Sequence, residues 1–184
     1  CSLGGKVAVP HMLPYDTSKF ALAGFSQGLD AELAADNISV TTVYPTVMRT
    51  GSPIQAVFKG QHEKEFAWFA ATDVFPGISM SAESAALKIL DAIREKHSEL
   101  VPSFAAKARL SLATLFPELM ALSMRWIAGL MLAGQSHIRK TGAQSRRKFE
   151  YSLWAWPLRG RAHKAQKDYN QEPSTNPDFN MGIM

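Results

Sequence analysis

The run Ile38-Ser39-Val40-Thr41-Thr42-Val43-Tyr44 constrains this chain more than any other feature. Its β-branched residues suit a strand buried on both faces, and Pro45 ends it. Helical spacing flanks it on either side. Phe20, Ala21, Gly24, Phe25, Gly28, Leu29 and Leu33 recur as one face of a helix over 15–35, and Asp36-Asn37 stops that helix. Ser81 is a candidate N-cap, with Glu83 in the first turn, for a helix to about His97. Residues 99–103 then offer a second short strand. Helix, strand, helix, strand, with buried strands between amphipathic helices, argues for a parallel α/β sheet.

Between the strand and the second helix lies a long segment broken by Pro53, Gly60, Pro76 and Gly77, with one short helix expected near 61–71. Met12, Phe58, Phe66, Trp68, Phe69 and Phe75 could line an apolar cleft beneath a lid or simply form core. His62-Glu63-Lys64-Glu65 reads as an exposed turn. Two further helices are expected over 104–116 and 118–134. The second is strongly apolar, but it is short for a span and carries Arg125 at its middle. It is read as packed over the domain, and contact with a membrane surface stays open. Three regions follow: 1–103 as the α/β part, 104–148 as a helical extension, and 149–184 as a basic, partly mobile tail in which Trp154 and Trp156 pack on the body.

Composition narrows the function. One cysteine excludes an internal disulfide framework. None of the five histidines has another at helical metal spacing, so no metal site is expected. The formal charge of +4 is concentrated after residue 134, where nine Lys and Arg face four Asp and Glu. Arg146-Arg147-Lys148 comes with no nucleic-acid-binding motif and is read as a solvated charge run.

Tyr15 and Lys19 stand four residues apart at the start of the first helix and so share a face. A tyrosine hydroxyl is ordinarily a poor base near neutrality, and a neighbouring ammonium favours its ionised form. Such a pair can pass a proton to or from a substrate oxygen. Ser2 precedes Tyr15 by 13 residues, at the end of a presumed strand, where ligands gather in open α/β sheets.

Ser2-Leu3-Gly4-Gly5, Tyr15-Asp16-Thr17-Ser18-Lys19-Phe20-Ala21-Leu22, Leu29-Asp30-Ala31-Glu32-Leu33 and Ile38 to Pro45 together resemble the second half of short-chain dehydrogenases/reductases. The likeness is close over 1–52 and looser over 81–97. It implies a Rossmann-like parallel sheet, represented by its C-terminal half and followed by extra helices. It implies NAD(P)-dependent interconversion of an alcohol and a ketone. Ser2 then corresponds to the serine that hydrogen-bonds the substrate oxygen, Tyr15 to the general acid/base, and Lys19 to the lysine that holds the nicotinamide ribose and favours the tyrosinate. Pro45 opens the loop that meets the nicotinamide, with Met48 and Thr50 at positions that meet its carboxamide.

Thr46 departs from the family, which usually has Gly there, and Asp16 stands where a small residue is common. No glycine-rich turn for the pyrophosphate is found, nor any residue choosing between NAD and NADP. The N-terminal, cofactor-binding half is therefore expected to be missing, and the 184 residues alone are expected to be inactive. Expected partners are a small, apolar carbonyl or alcohol substrate and, through the Tyr–Lys helix with its small residues Ala23, Ser26, Ala31 and Ala34, a second copy. No nucleic acid is expected, and the expected location is cytoplasmic or membrane-peripheral. The alternative is a truncated, non-catalytic piece acting by protein or membrane-surface association.

Overall fold

The computed structural model describes residues 1–74, 79–130, 138–152, 155–169 and 171. In chain order the elements are α1 (Leu13–Leu33), β1 (Thr42–Val43), β2 (Val57–Lys59), α2 (His62–Val74), α3 (Ala82–Arg94), β3 (Glu99–Leu100), α4 (Phe104–Leu115), α5 (Pro117–Leu130), β4 (Arg139–Thr141), α6 (Gly142–Ser145), α7 (Arg147–Tyr151) and α8 (Trp156–Asp168). They form two compact units. The first draws on Cys1–Met48 and Met80–Leu132, the second on Arg49–Ser79 and Ala133–Met184. This grouping cuts across the three regions expected from the sequence: α4 and α5 go with the α/β part, and β4 to α8 go with the segment after β1.

The first unit is α/β, built on a parallel pair in which Thr42 aligns with Glu99 and Val43 with Leu100. The ladder is shorter than the expected strand over 38–44. The reason is visible at Val40, whose N–H donates to Asp30 Oδ1 on α1 (2.7 Å) and not to another strand. Helix α1 starts at Leu13 with Pro14 in its first turn, where the missing N–H costs nothing. Asn37 takes the left-handed conformation (φ 56°) after a 3-10 turn, as the Asp36-Asn37 stop requires. Ser81 caps α3 by accepting from Ser84 N–H at 3.2 Å, as the sequence indicates. The core joins Ala23, Tyr44, Val101 and Ala106, with Cys1, Leu3 and Leu110 packed on it.

Which face of α1 is covered differs from expectation. Ala23 is buried, and Ser26 Oγ accepts from Thr42 Oγ1 (2.7 Å), so these small residues face β1. Phe20, Gly24, Phe25 and Gly28 lie on the exposed side. Of the small residues proposed for close approach by a second copy, only Ala31 and Ala34 are exposed.

In the second unit β2 pairs antiparallel with β4. Phe58 meets Phe66 and Phe69 edge-on at centroid distances of 5.8 and 6.0 Å, and Phe66 meets Phe149 at 6.1 Å. Around them lie Ile54, Ala67, Ala70, Ala155 and Ala162. Phe58, Phe66 and Phe69 are thus core and do not line an open cleft; Trp68 is exposed, and Phe75 lies outside the described residues. His62-Glu63-Lys64-Glu65 is the first turn of α2, not a free turn. Trp156 is 72% exposed and does not pack on the body; Trp154 and the tail from 172 lie outside the described residues.

Asp73, on α2, is 3% exposed. Burial pushes its carboxyl up to about 6, against the pull of the Gly51 N–H and the Arg49 charge. Its folded value lies above its unfolded one, so between about pH 4 and 6 the native state binds the proton more tightly. Stability therefore falls as pH rises through that window and is level above it. Asp73→Asn keeps an acceptor for Gly51 and removes the charge. It should abolish that slope and leave the unit more stable at pH 7 by about 1–3 kcal/mol. Urea midpoints at pH 4 and 7 check this; an unchanged slope in the variant would refute it.

Candidate active site

Ser2 has an extended backbone and caps a 3-10 turn, Leu3–Gly5, its Oγ accepting from Gly4 N–H at 3.2 Å. The turn packs on the start of α1. A Cβ on Gly4 would lie 2.6 Å from Asp16 Oδ1 and 3.2 Å from Tyr15 Cε1. Glycine is needed here because the Tyr15 ring and the Asp16 carboxylate occupy the space of a side chain. One helical turn on, the Lys19 ammonium sits over the Tyr15 ring, 5.2 Å from its centroid, while Cys1 Sγ donates to the Lys19 carbonyl (3.3 Å).

The loop leaving β1 returns to the same turn. Leu3 N–H donates to the Pro45 carbonyl at 3.3 Å. Ser2, Tyr15, Lys19 and Pro45 are therefore gathered around one short turn, although the chain separates Ser2 from Pro45 by a whole helix. Beyond Pro45, Met80 N–H donates to the Val47 carbonyl (3.0 Å), and Met48 forms an isolated parallel bridge with Met80. Thr50 belongs to the second unit. Below the turn, Tyr44 is fully buried; its hydroxyl accepts from Gln27 Nε2 (3.2 Å) and the Lys6 ammonium sits 4.6 Å from its ring centroid.

Two residues carry more than sequence reasoning assigned them. Asp16 is 2% exposed, not solvated. Its Oδ2 accepts from Val9 N–H at 2.8 Å, its Oδ1 is buried without a protein partner, and burial raises its carboxyl above the usual range. Thr46, the departure in the loop, has a buried Oγ1 with no protein partner. A hydroxyl with spare hydrogen-bonding capacity suits a loop that meets a polar amide. Among the described residues no group of three or more His, Cys, Asp or Glu could hold a metal ion.

Residues 1–58 match the family model described as short chain dehydrogenase. The chain belongs to the short-chain dehydrogenase/reductase family. It is 30% identical over 129 residues to dehydrogenase/reductase SDR family member 7B of Mus musculus, which covers 67% of this chain and 38% of that protein. It is 32% identical over 110 residues to the putative oxidoreductase SadH of Mycobacterium tuberculosis, covering 58% and 39%. Over the first part alone it is 41% identical across 56 residues to an SDR family protein 7-like dehydrogenase/reductase of Anopheles gambiae, covering 30% of this chain and 18% of that one. The chain thus spans less than two fifths of the length of these relatives. No solved structure matches it.

Proposed function

We propose that this chain carries the proton-transfer residues of an NAD(P)-dependent oxidoreductase that interconverts an alcohol and a ketone. The observation that carries the reading is the Lys19 ammonium held over the Tyr15 ring on a helix start locked against the Ser2–Gly5 turn. In reduction, Tyr15 gives its hydroxyl proton to the developing alkoxide; in oxidation its phenolate takes the proton from the alcohol. Lys19 places its positive charge over the ring that carries this proton. Ser2 uses an Oγ lone pair to accept from Gly4, which leaves its hydroxyl proton to hold the substrate oxygen. A bound nicotinamide would supply or accept the hydride. Its ribose would be held by Lys19 and its carboxamide by the loop from Pro45 to Met48, where the unpartnered Thr46 hydroxyl stands. No residue here offers the glycine-rich turn that cradles a pyrophosphate. The deciding experiment is removal of the Tyr15 hydroxyl, with hydride transfer followed by nicotinamide absorbance.

One observation favours a second reading, association with a membrane surface. On α5, Leu119, Leu122 and Trp126 form one outward stripe, 57–69% exposed, and Leu115 and Phe104 on α4 are 71% and 87% exposed. Exposed Lys107, Arg109 and Arg125 accompany them. No described helix is long and apolar enough to cross a membrane. An apolar stripe edged by cations suits the surface of an anionic bilayer. Flotation with phosphatidylcholine vesicles should show binding only when phosphatidylserine is included, and Trp126→Ser should weaken it. Equal recovery with both vesicle types would remove this reading.

A further inference from the structure

We propose that Asp16 is the positioning residue of the Tyr15–Lys19 pair: its buried carboxylate fixes the backbone on which the Tyr15 ring rests. This rests on the proton-transfer reading above. Tyr15 itself is 41% exposed, so apart from the Lys19 ammonium over its face its ring is confined at one edge. At that edge lies Gly4, whose missing side chain leaves room for both the ring edge and Asp16 Oδ1. From the same carboxylate, Oδ2 reaches out of the helix to Val9 N–H. Asp16 therefore packs beside Gly4 of the turn and ties the loop from Lys6 to Met12 to the first turn of α1, whose own Asp16 N–H donates to the Met12 carbonyl (2.9 Å).

That loop needs an anchor. His11 takes a left-handed backbone (φ 69°), a conformation that L-residues adopt at a cost. Val9 is part-exposed and lies outside any ladder, so the carboxylate is what holds its N–H. Without Asp16 the loop keeps its backbone bonds from Val7 to Leu3 and from Met12 to Val9 but loses its side-chain tie to the first turn of α1. The Tyr15 hydroxyl, on that first turn, is then aligned less closely with the Ser2 hydroxyl, which the turn's own packing on Lys19 and Pro45 still holds. Loss of alignment on this scale is worth about ten- to a hundredfold in rate. A carboxylate with one oxygen unpartnered is a costly way to fill space, which marks a requirement beyond packing.

The test uses the protein that carries this chain and compares Asp16→Ala with Asp16→Asn. Alanine removes the acceptor for Val9. Asparagine keeps it and exchanges one unpartnered buried atom for another. Asp16→Ala should lower kcat about ten- to a hundredfold with substrate KM changed less than about threefold. It should also speed amide hydrogen exchange at Val9 and shift the Tyr15 ring carbon resonances. Asp16→Asn should restore all of these to within about threefold of the parent. Should Asp16→Ala not fold, Gly4→Ala serves in its place: its Cβ collides with Asp16 Oδ1 and presses the ring, and should shift the same resonances and lower kcat. Equal behaviour of the alanine and asparagine variants overturns the proposal, as does an Asp16→Ala protein with parental Val9 exchange and Tyr15 resonances. If Tyr15→Phe leaves turnover intact, the proton-transfer reading fails, and with it the role for Asp16. If Tyr15→Phe abolishes turnover while Asp16→Ala does not lower it, only the Asp16 proposal fails.

Discussion

Tyr15→Phe should lower turnover of the alcohol or ketone by at least about a hundredfold, the usual scale for loss of a general acid/base. The substitution is selective because of how the ring is held. The Lys19 ammonium stands over its face and Gly4 leaves room for its carbon edge, both features of the ring that phenylalanine retains. Only the hydroxyl at the end of a 41%-exposed side chain is lost, so folded stability should change by less than about 0.5 kcal/mol. Steady-state rates by nicotinamide absorbance, with urea unfolding of the same samples, separate chemistry from folding. A variant within about threefold of parental turnover would mean that the proton takes another route.

The largest effect on stability belongs to the second unit. A Cβ on Gly142 would fall 2.0 Å from the Pro53 carbonyl oxygen and 2.7 Å from Ile54 Cα. Both neighbours are backbone, and Gly142 N–H is itself tied to the Ala56 carbonyl at 2.8 Å. Thr141 and Gln144 close a capping box across the same turn, so neither side can swing away. Gly142→Ala should destabilise the protein by about 3 kcal/mol, the upper end for overpacking. Gly160→Ala is the control, since a Cβ there meets nothing within 4 Å in the middle of α8. It should stabilise by about 0.5–1 kcal/mol through the unfolded chain. Denaturant midpoints that place the two variants together would show that the close approach at Gly142 is soft.

The α/β character and the helix starts were legible because local chemistry decides them. Ser81 caps and Asn37 turns left-handed because few other residues could do those things. The extent of β1 was not legible, since a ladder exists only where a partner lies. Val40 prefers the Asp30 side chain, and no periodicity reports that. The exposed side of α1 was misread for a related reason. Ala23 and Ser26 face β1 because small residues let the strand approach, while Phe20 and Phe25 stand outside. Hydrophobic periodicity assumes that the larger apolar residues face inward.

At the candidate site, the spacing from Tyr15 to Lys19 was readable because both lie on one helix. The return of Pro45 to Leu3 depends on tertiary packing and carries no local signal. Asp16 did leave a trace that could have been weighed: an acidic residue in a first helical turn, following a Pro- and Gly-containing loop, often accepts a backbone N–H. The aromatic residues of 58–69 offered no such choice. Phe66 meets Phe149, far along the chain, in the unit where β4 returns to pair with β2.

The parallel pairing of Thr42 with Glu99 has a consequence for synthesis on the ribosome. Roughly sixty residues separate the partners, and at about 5–20 residues per second β1 waits some seconds before β3 emerges. Throughout that interval its backbone donors and acceptors on the β3 side have no strand beside them. Closing so long a loop also slows pairing once β3 is present. The nascent chain is therefore most open to mispairing between the completion of β1 and the emergence of β3. A chaperone acting on this protein has most to protect in that interval.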